Sequence, residues 1–174
     1  AYTLVSDSFR NWRGMEEAGG RRIARSLQID MGSVKFCTPE MLEQFAQIKL
    51  IRDYVLKKEE ELRLFNQQFG VDGSVVVNGR RQTNLGIFRA YIREYLKSNP
   101  DVHQGMTVMV RHLAPTEKGI PLQVYCFAKT TRWETYEKIQ ADIFDHLIAV
   151  LPYFELKVFQ NPTGSDFRAL VGQS

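Results

Sequence analysis

Residues 107–159 read TVMVRHLAPTEKGIPLQVYCFAKTTRWETYEKIQADIFDHLIAVLPYFELKVF, and this stretch decides the fold. Two runs alternate, Thr107–Leu113 and Leu122–Ala128, joined by a turn-rich linker with Pro115 and Gly119. In the second, Leu122, Val124, Cys126 and Ala128 share one side; Gln123, Tyr125 and Phe127 share the other. A period of two with one apolar face marks a half-buried strand. Trp133–Leu151 then changes period: Tyr136, Ile139, Ile143, Leu147 and Val150 form a helical stripe, with Pro152 just past the end. Thr131 and Glu134 have the spacing of a capping box. A short run, Leu156–Phe159, closes the unit. Strand, strand, helix, strand is the second half of a ferredoxin-like α+β sandwich.

Working upstream, Arg21–Ile29 alternates and supplies the missing first strand. Thr38-Pro39-Glu40 starts a helix: a hydroxyl cap, proline at the first helical position, and an acid in the first turn. The apolar spacing continues that helix over Pro39–Phe69, with a break near Gln47–Leu50. Val75-Val76-Val77 before Asn78-Gly79 suggests a hairpin, but Arg80-Arg81-Gln82 is a poor return strand, so an ordered loop is equally in keeping. Asn84 is expected to cap a helix running to Lys97, stopped by Asn99-Pro100. The expected fold is therefore a four-stranded antiparallel sheet with two helices on one face, a helical insertion at about 47–82, and a polar tail over 161–174. At the other end, Tyr2–Trp12 reads as a lone strand without a partner in the first hundred residues.

The 174 residues carry a net charge of +3, with 44% hydrophobic and 25% charged side chains, which is an ordinary globular composition. No run approaches the roughly 18 apolar residues of a spanning helix, and no signal peptide is read at Ala1–Phe9. Cys37 and Cys126 make no disulfide framework.

Chemistry is sparse. Asp142 and His146 lie four apart and share a helical face, but no third ligand is identifiable, so no metal is expected. The chain has no H-E-x-x-H motif, no paired-cysteine zinc spacing, no phosphate loop and no nucleophile elbow. No enzyme activity and no cofactor are expected. Tyr125 and Phe127 project together from a central strand, as base-stacking aromatics do in RNA-recognition domains, but the accompanying K/R-G-F/Y-G/A-F pattern is absent. They are better read as a subunit contact, with no nucleic-acid partner. Lys57-Lys58-Glu59-Glu60-Glu61 is a solvated helix face.

Several stretches resemble the small-conductance mechanosensitive channel family, and more sharply its miniconductance branch. They are Ser6-Asp7-Ser8-Phe9 through Trp12-Arg13-Gly14, Gly19-Gly20-Arg21-Arg22-Ile23, Thr83-Asn84-Leu85-Gly86, Phe88-Arg89-Ala90-Tyr91, Gln140–His146 and Gln160–Gly164. The likeness is weakest between Cys37 and Gln82. It implies a C-terminal cytoplasmic fragment of a bacterial inner-membrane channel that assembles as a homo-heptamer and releases solutes under hypo-osmotic tension. On that resemblance residues 1–20 are the end of an Sm-like β domain with its linker, and residues 21–160 are the αβ domain of a hollow cage. A stand-alone ferredoxin-like module binding a small ligand or RNA is the alternative.

Overall fold

The computed structural model describes residues 19–161, together with Arg168 and Val171. The expected strand Tyr2–Trp12 and most of the 161–174 tail lie outside the described residues.

Three strands form one antiparallel sheet: β1 (Arg21–Ile29), β2 (Met109–His112) and β3 (Ile120–Ala128). Their order is β1-β3-β2. β1 pairs with β3 along its whole length, from Arg21 opposite Ala128 to Ile29 opposite Ile120. β2 pairs on the other side, from Met109 opposite Tyr125 to His112 opposite Leu122. The central position of β3 follows from its composition: Leu122, Val124, Cys126 and Ala128 are all fully buried, as a strand flanked on both sides allows.

The expected fourth strand is a correction. Residues 156–159 make no regular strand; Val158 forms a single antiparallel bridge to Ile29. It is flanked by the bonds Asp30 N–H to Lys157 C=O and Phe159 N–H to Gln28 C=O, both 2.8 Å. A 3-10 turn, Leu151–Phe154, and the left-handed Glu155 (φ 55°) reverse the chain just before it. That reversal leaves too few extended residues to build a ladder.

The helices between residues 19 and 161 are α1 (Pro39–Phe45), α2 (Arg52–Gln68), α3 (Asn84–Ser98) and α4 (Trp133–Val150), with α3 packed against β2 and α4 against β3. Ile23, Leu27, Leu122 and Val124 from the sheet meet Phe88, Ile92, Ile143 and Leu147 from α3 and α4 in one core, joined by Met41, Phe45 and Val55. The expected break in the long helix is present between α1 and α2. The Arg52 guanidinium donates to the carbonyl of Ala46 at 2.8 Å, satisfying a group freed where α1 stops, while Ile51 buries fully at the bend.

Two caps differ from the sequence reading. Thr83, not Asn84, caps α3, its hydroxyl accepting from Gly86 N–H at 3.0 Å. At α4 the Thr131–Glu134 box does not form: Arg132 holds the cap position without a side-chain bond, and Thr130 turns the entry by accepting from Arg132 N–H at 3.1 Å. The stretch after α2 is an ordered loop, not a hairpin. The Asn66 side chain both accepts from Arg80 N–H and donates to Arg80 C=O at 2.9 Å, taking the backbone groups that a return strand would have offered. The Arg81 guanidinium donates to Val76 and Gly73 carbonyls, leaving the three valines exposed.

Candidate functional site

Leu122, Val124, Cys126 and Ala128 of β3 turn toward the core shared with α3 and α4, and Tyr125 and Phe127 lie on the opposite face of the strand. The register sets Tyr125 between Ala24 and Met109, and Phe127 opposite Arg22. The two rings meet edge to face, centroids 5.7 Å apart at 85°, the geometry aromatic quadrupoles favour. Beside them Arg111 donates to the Gln123 side chain at 2.8 Å. The pair is unequal in a way the alternation did not reveal. Tyr125 is half-buried, but Phe127 is only 8% exposed, so Tyr125 offers the accessible part of this patch. The reason is local: the Gly20 backbone and the Met106 thioether close around the end of β3. A Cβ added at Gly20 would meet Met106 Sδ at 2.8 Å and Phe127 Cβ at 3.5 Å.

The second polar cluster lies at the seam of α3 and α4. Tyr91 Oη is 2.6 Å from His146 Nε2, and the Tyr95 ring stacks on the imidazole at 4.2 Å with planes 3° apart. Tyr91 and Tyr95 are one turn apart on α3, Asp142 and His146 one turn apart on α4, so two i,i+4 pairs mesh. Burial raises the pKa of both phenols, and for Tyr95 the nearby Asp142 carboxylate adds to it. His146 is thus a packing and hydrogen-bonding group. Among the described residues no group of three or more His, Cys, Asp or Glu could hold a metal. Of the other histidines, His112 on β2 faces Arg89, whose guanidinium lies 3.3 Å from Nε2. Burial first, and that cation second, push the His112 pKa down. His103 sits before β2, its backbone N–H donating to Phe127 C=O at 2.8 Å.

A cavity of about 520 Å³ lies between α2 and the 71–82 loop, lined in part by Cys37, Glu59, Arg63 and Gln82. Burial, then the Glu59 and Glu155 carboxylates, push the Cys37 thiol up to about 12. A thiol so held is protonated at neutral pH and is no nucleophile. Arg63 is held by Glu60, and Gln82 donates to Glu59 at 2.9 Å. Gln82 Oε1 is buried without a hydrogen-bond partner, so the cluster is only partly satisfied, and its one thiol is held protonated.

Residues 74–152 match the family model described as the C-terminal region of the mechanosensitive ion channel MscS. Over these residues, somewhat less than half of the chain, it is similar to the MscS family of mechanosensitive ion channels. The match runs from the loop before α3 through β2, β3 and α4, so β1, α1 and α2 precede it. The chain is also 30% identical over 67 residues to the low conductance mechanosensitive channel YnaI of Escherichia coli strain K12. That similarity spans 38% of this chain and 20% of the relative. The MscS family is one of ion channels, in keeping with the lack of a catalytic reading. No helix among the described residues is long and apolar enough to cross a membrane.

The hub that sequence reasoning missed is Asn84, fully buried and bonded to three residues in two separate segments. Its neighbour Thr83 carried the usable signal: a hydroxyl one residue earlier is as good a cap, which would have released Asn84 for another role.

Proposed function

We propose that this chain is the αβ cage domain of a tension-gated channel in the bacterial inner membrane. In this reading residues 21–160 form a wall unit on the cytoplasmic side, with an elaboration over about 47–82. Residues 1–20 complete a β domain above it, and 161–174 form a tail. The wall unit is read as a ferredoxin-like sandwich whose fourth strand has shrunk to the Val158 bridge. The complete channel would assemble as a homo-heptamer of the miniconductance branch and release solutes when hypo-osmotic shock stretches the bilayer. The observation that carries the reading is the family match over α3, β2, β3 and α4, the elements that build half of the sandwich. A folded unit whose sheet turns Tyr125 and Phe127 away from the core shared with α3 and α4 suits a wall that must meet other copies, and that pair is the proposed apolar contact.

The test is physiological. The full-length gene, expressed in a bacterium stripped of its mechanosensitive channels, should give pressure-activated currents in excised patches and raise survival of osmotic downshock. Silent patches under lytic tension, with the protein present in the membrane, would overturn the proposal.

A further inference from the structure

The two helices flanking the α3–α4 seam carry opposite charge on their outward sides. Arg89, Arg93 and Lys97 are exposed on α3 at four-residue spacing, which lines them up along one stripe. Glu134, Glu137 and Asp145 are exposed on α4, with Lys138 the one cation interrupting them. The ion pairs of the described residues, Lys35–Glu155, Lys58–Glu61 and Arg63–Glu60, engage none of these six acids and bases. At roughly 100° per residue, the basic stripe faces away from Tyr91 and the acidic group away from His146. Since Tyr91 and His146 meet at the seam, the charged groups lie on its two outer flanks. The sheet fixes the same arrangement. α3 lies over the β2 edge, where Arg89 reaches His112, and α4 lies over β1, where Tyr136 Oη donates to Arg22 C=O at 2.7 Å.

We infer that the basic flank of α3 in one copy docks against the acidic flank of α4 in the next. The occupant is a second copy of this chain, because one molecule presents both halves of a complementary pair on opposite sides. Such a contact is heterologous, head to tail, and propagates around a closed assembly. Its charges set orientation and register, while apolar contacts supply most of the affinity. This inference rests on the reading of the chain as part of a homo-oligomer. It adds which flanks meet and in what order.

The test uses the full-length protein in detergent, treated with a carbodiimide that joins a lysine amine directly to a carboxylate. Native mass spectrometry first establishes the assembly. Peptides from the covalent dimer band should then contain Lys97 joined to Glu134, Glu137 or Asp145, a bond that two outer flanks of one copy cannot form. Lys97→Arg keeps the charge, removes the amine and should abolish the cross-peptide. Arg89→Glu with Arg93→Glu should lower its yield by roughly tenfold or more, since like charges then face each other. Glu134→Arg with Glu137→Arg in the same chain should restore it through Asp145. An assembled protein that gives no such peptide overturns the inference and leaves the oligomer standing. A monomeric full-length protein overturns both.

Discussion

The Asn84 side-chain amide donates to the carbonyl of Phe154 at 3.1 Å, across 70 residues of sequence. The same amide donates to Ser33 C=O at 3.0 Å, and its oxygen accepts from Lys35 N–H at 2.9 Å. One residue at the start of α3 thereby ties the segment after β1 to the turn after α4. It satisfies backbone groups for which buried surroundings provide no water.

Asn84→Ala should therefore cost more than the loss of an N-cap. Leaving Lys35 N–H and the Phe154 and Ser33 carbonyls without this partner is expected to destabilise by about 2–3 kcal/mol. Urea unfolding followed by circular dichroism checks it. A midpoint within error of the parent would show that water replaces the amide without loss.

Gly119 sits at φ +99°, and a Cβ there would approach Ile29 O to 2.4 Å. The close approach lets the turn after β2 fold against the end of β1, with Thr116 and Gly119 exchanging backbone bonds of 2.9 and 3.1 Å. Gly119→Ala should destabilise by about 2 kcal/mol or more, from positive φ and the clash together. Thermal melting is the readout, with Gly70→Ala as a control: Gly70 has φ +62° but open space around it, so only the backbone cost applies.

Alkaline stability should follow the thiols. Burial pushes Cys126 up to about 12, against an ordinary value of 9.0. The folded state holds this proton more tightly than the unfolded chain does. The stabilisation is whole below pH 9.0 and is lost as pH rises toward 12. Cys37 acts in the same direction. Urea midpoints between pH 8 and 11 should fall more steeply for the parent than for Cys126→Ala with Cys37→Ala. Equal slopes would assign the alkaline loss to the tyrosines.

At the proposed contact, Tyr125→Ser should weaken association of the full-length protein more than it affects folding. Tyr125 is the more accessible ring, and Phe127 is closed off beside Met106. Phe127→Ser should instead lower the melting temperature, by the ~2–3 kcal/mol that removing a buried ring entails. Light scattering with a parallel melt separates the two. An unchanged mass for the double variant removes this face from the interface.

Much of the fold was legible in the sequence because the deciding signals are local. Alternation over Arg21–Ile29 and Leu122–Ala128, the 3.6-residue stripe of α4, and Thr38-Pro39 before α1 each act within a few residues. The break between α1 and α2 was legible as a lapse in apolar spacing near Gln47–Leu50. The site was less so. Spacing put Tyr125 and Phe127 on one face, but their unequal burial depends on Gly20 and Met106, residues from other segments.

By itself, then, the sequence determined the order and type of the elements up to α4, the antiparallel character of the sheet and the likeness to the MscS family. Tertiary structure alone decided that residues 156–159 contribute one bridge instead of a strand, that Asn84 is a buried tie instead of a cap, and that Tyr91 meets His146. Periodicity reports which side of an element turns inward. It carries no information about which distant backbone group or ring will be waiting there, because those contacts exist only once the chain has closed on itself.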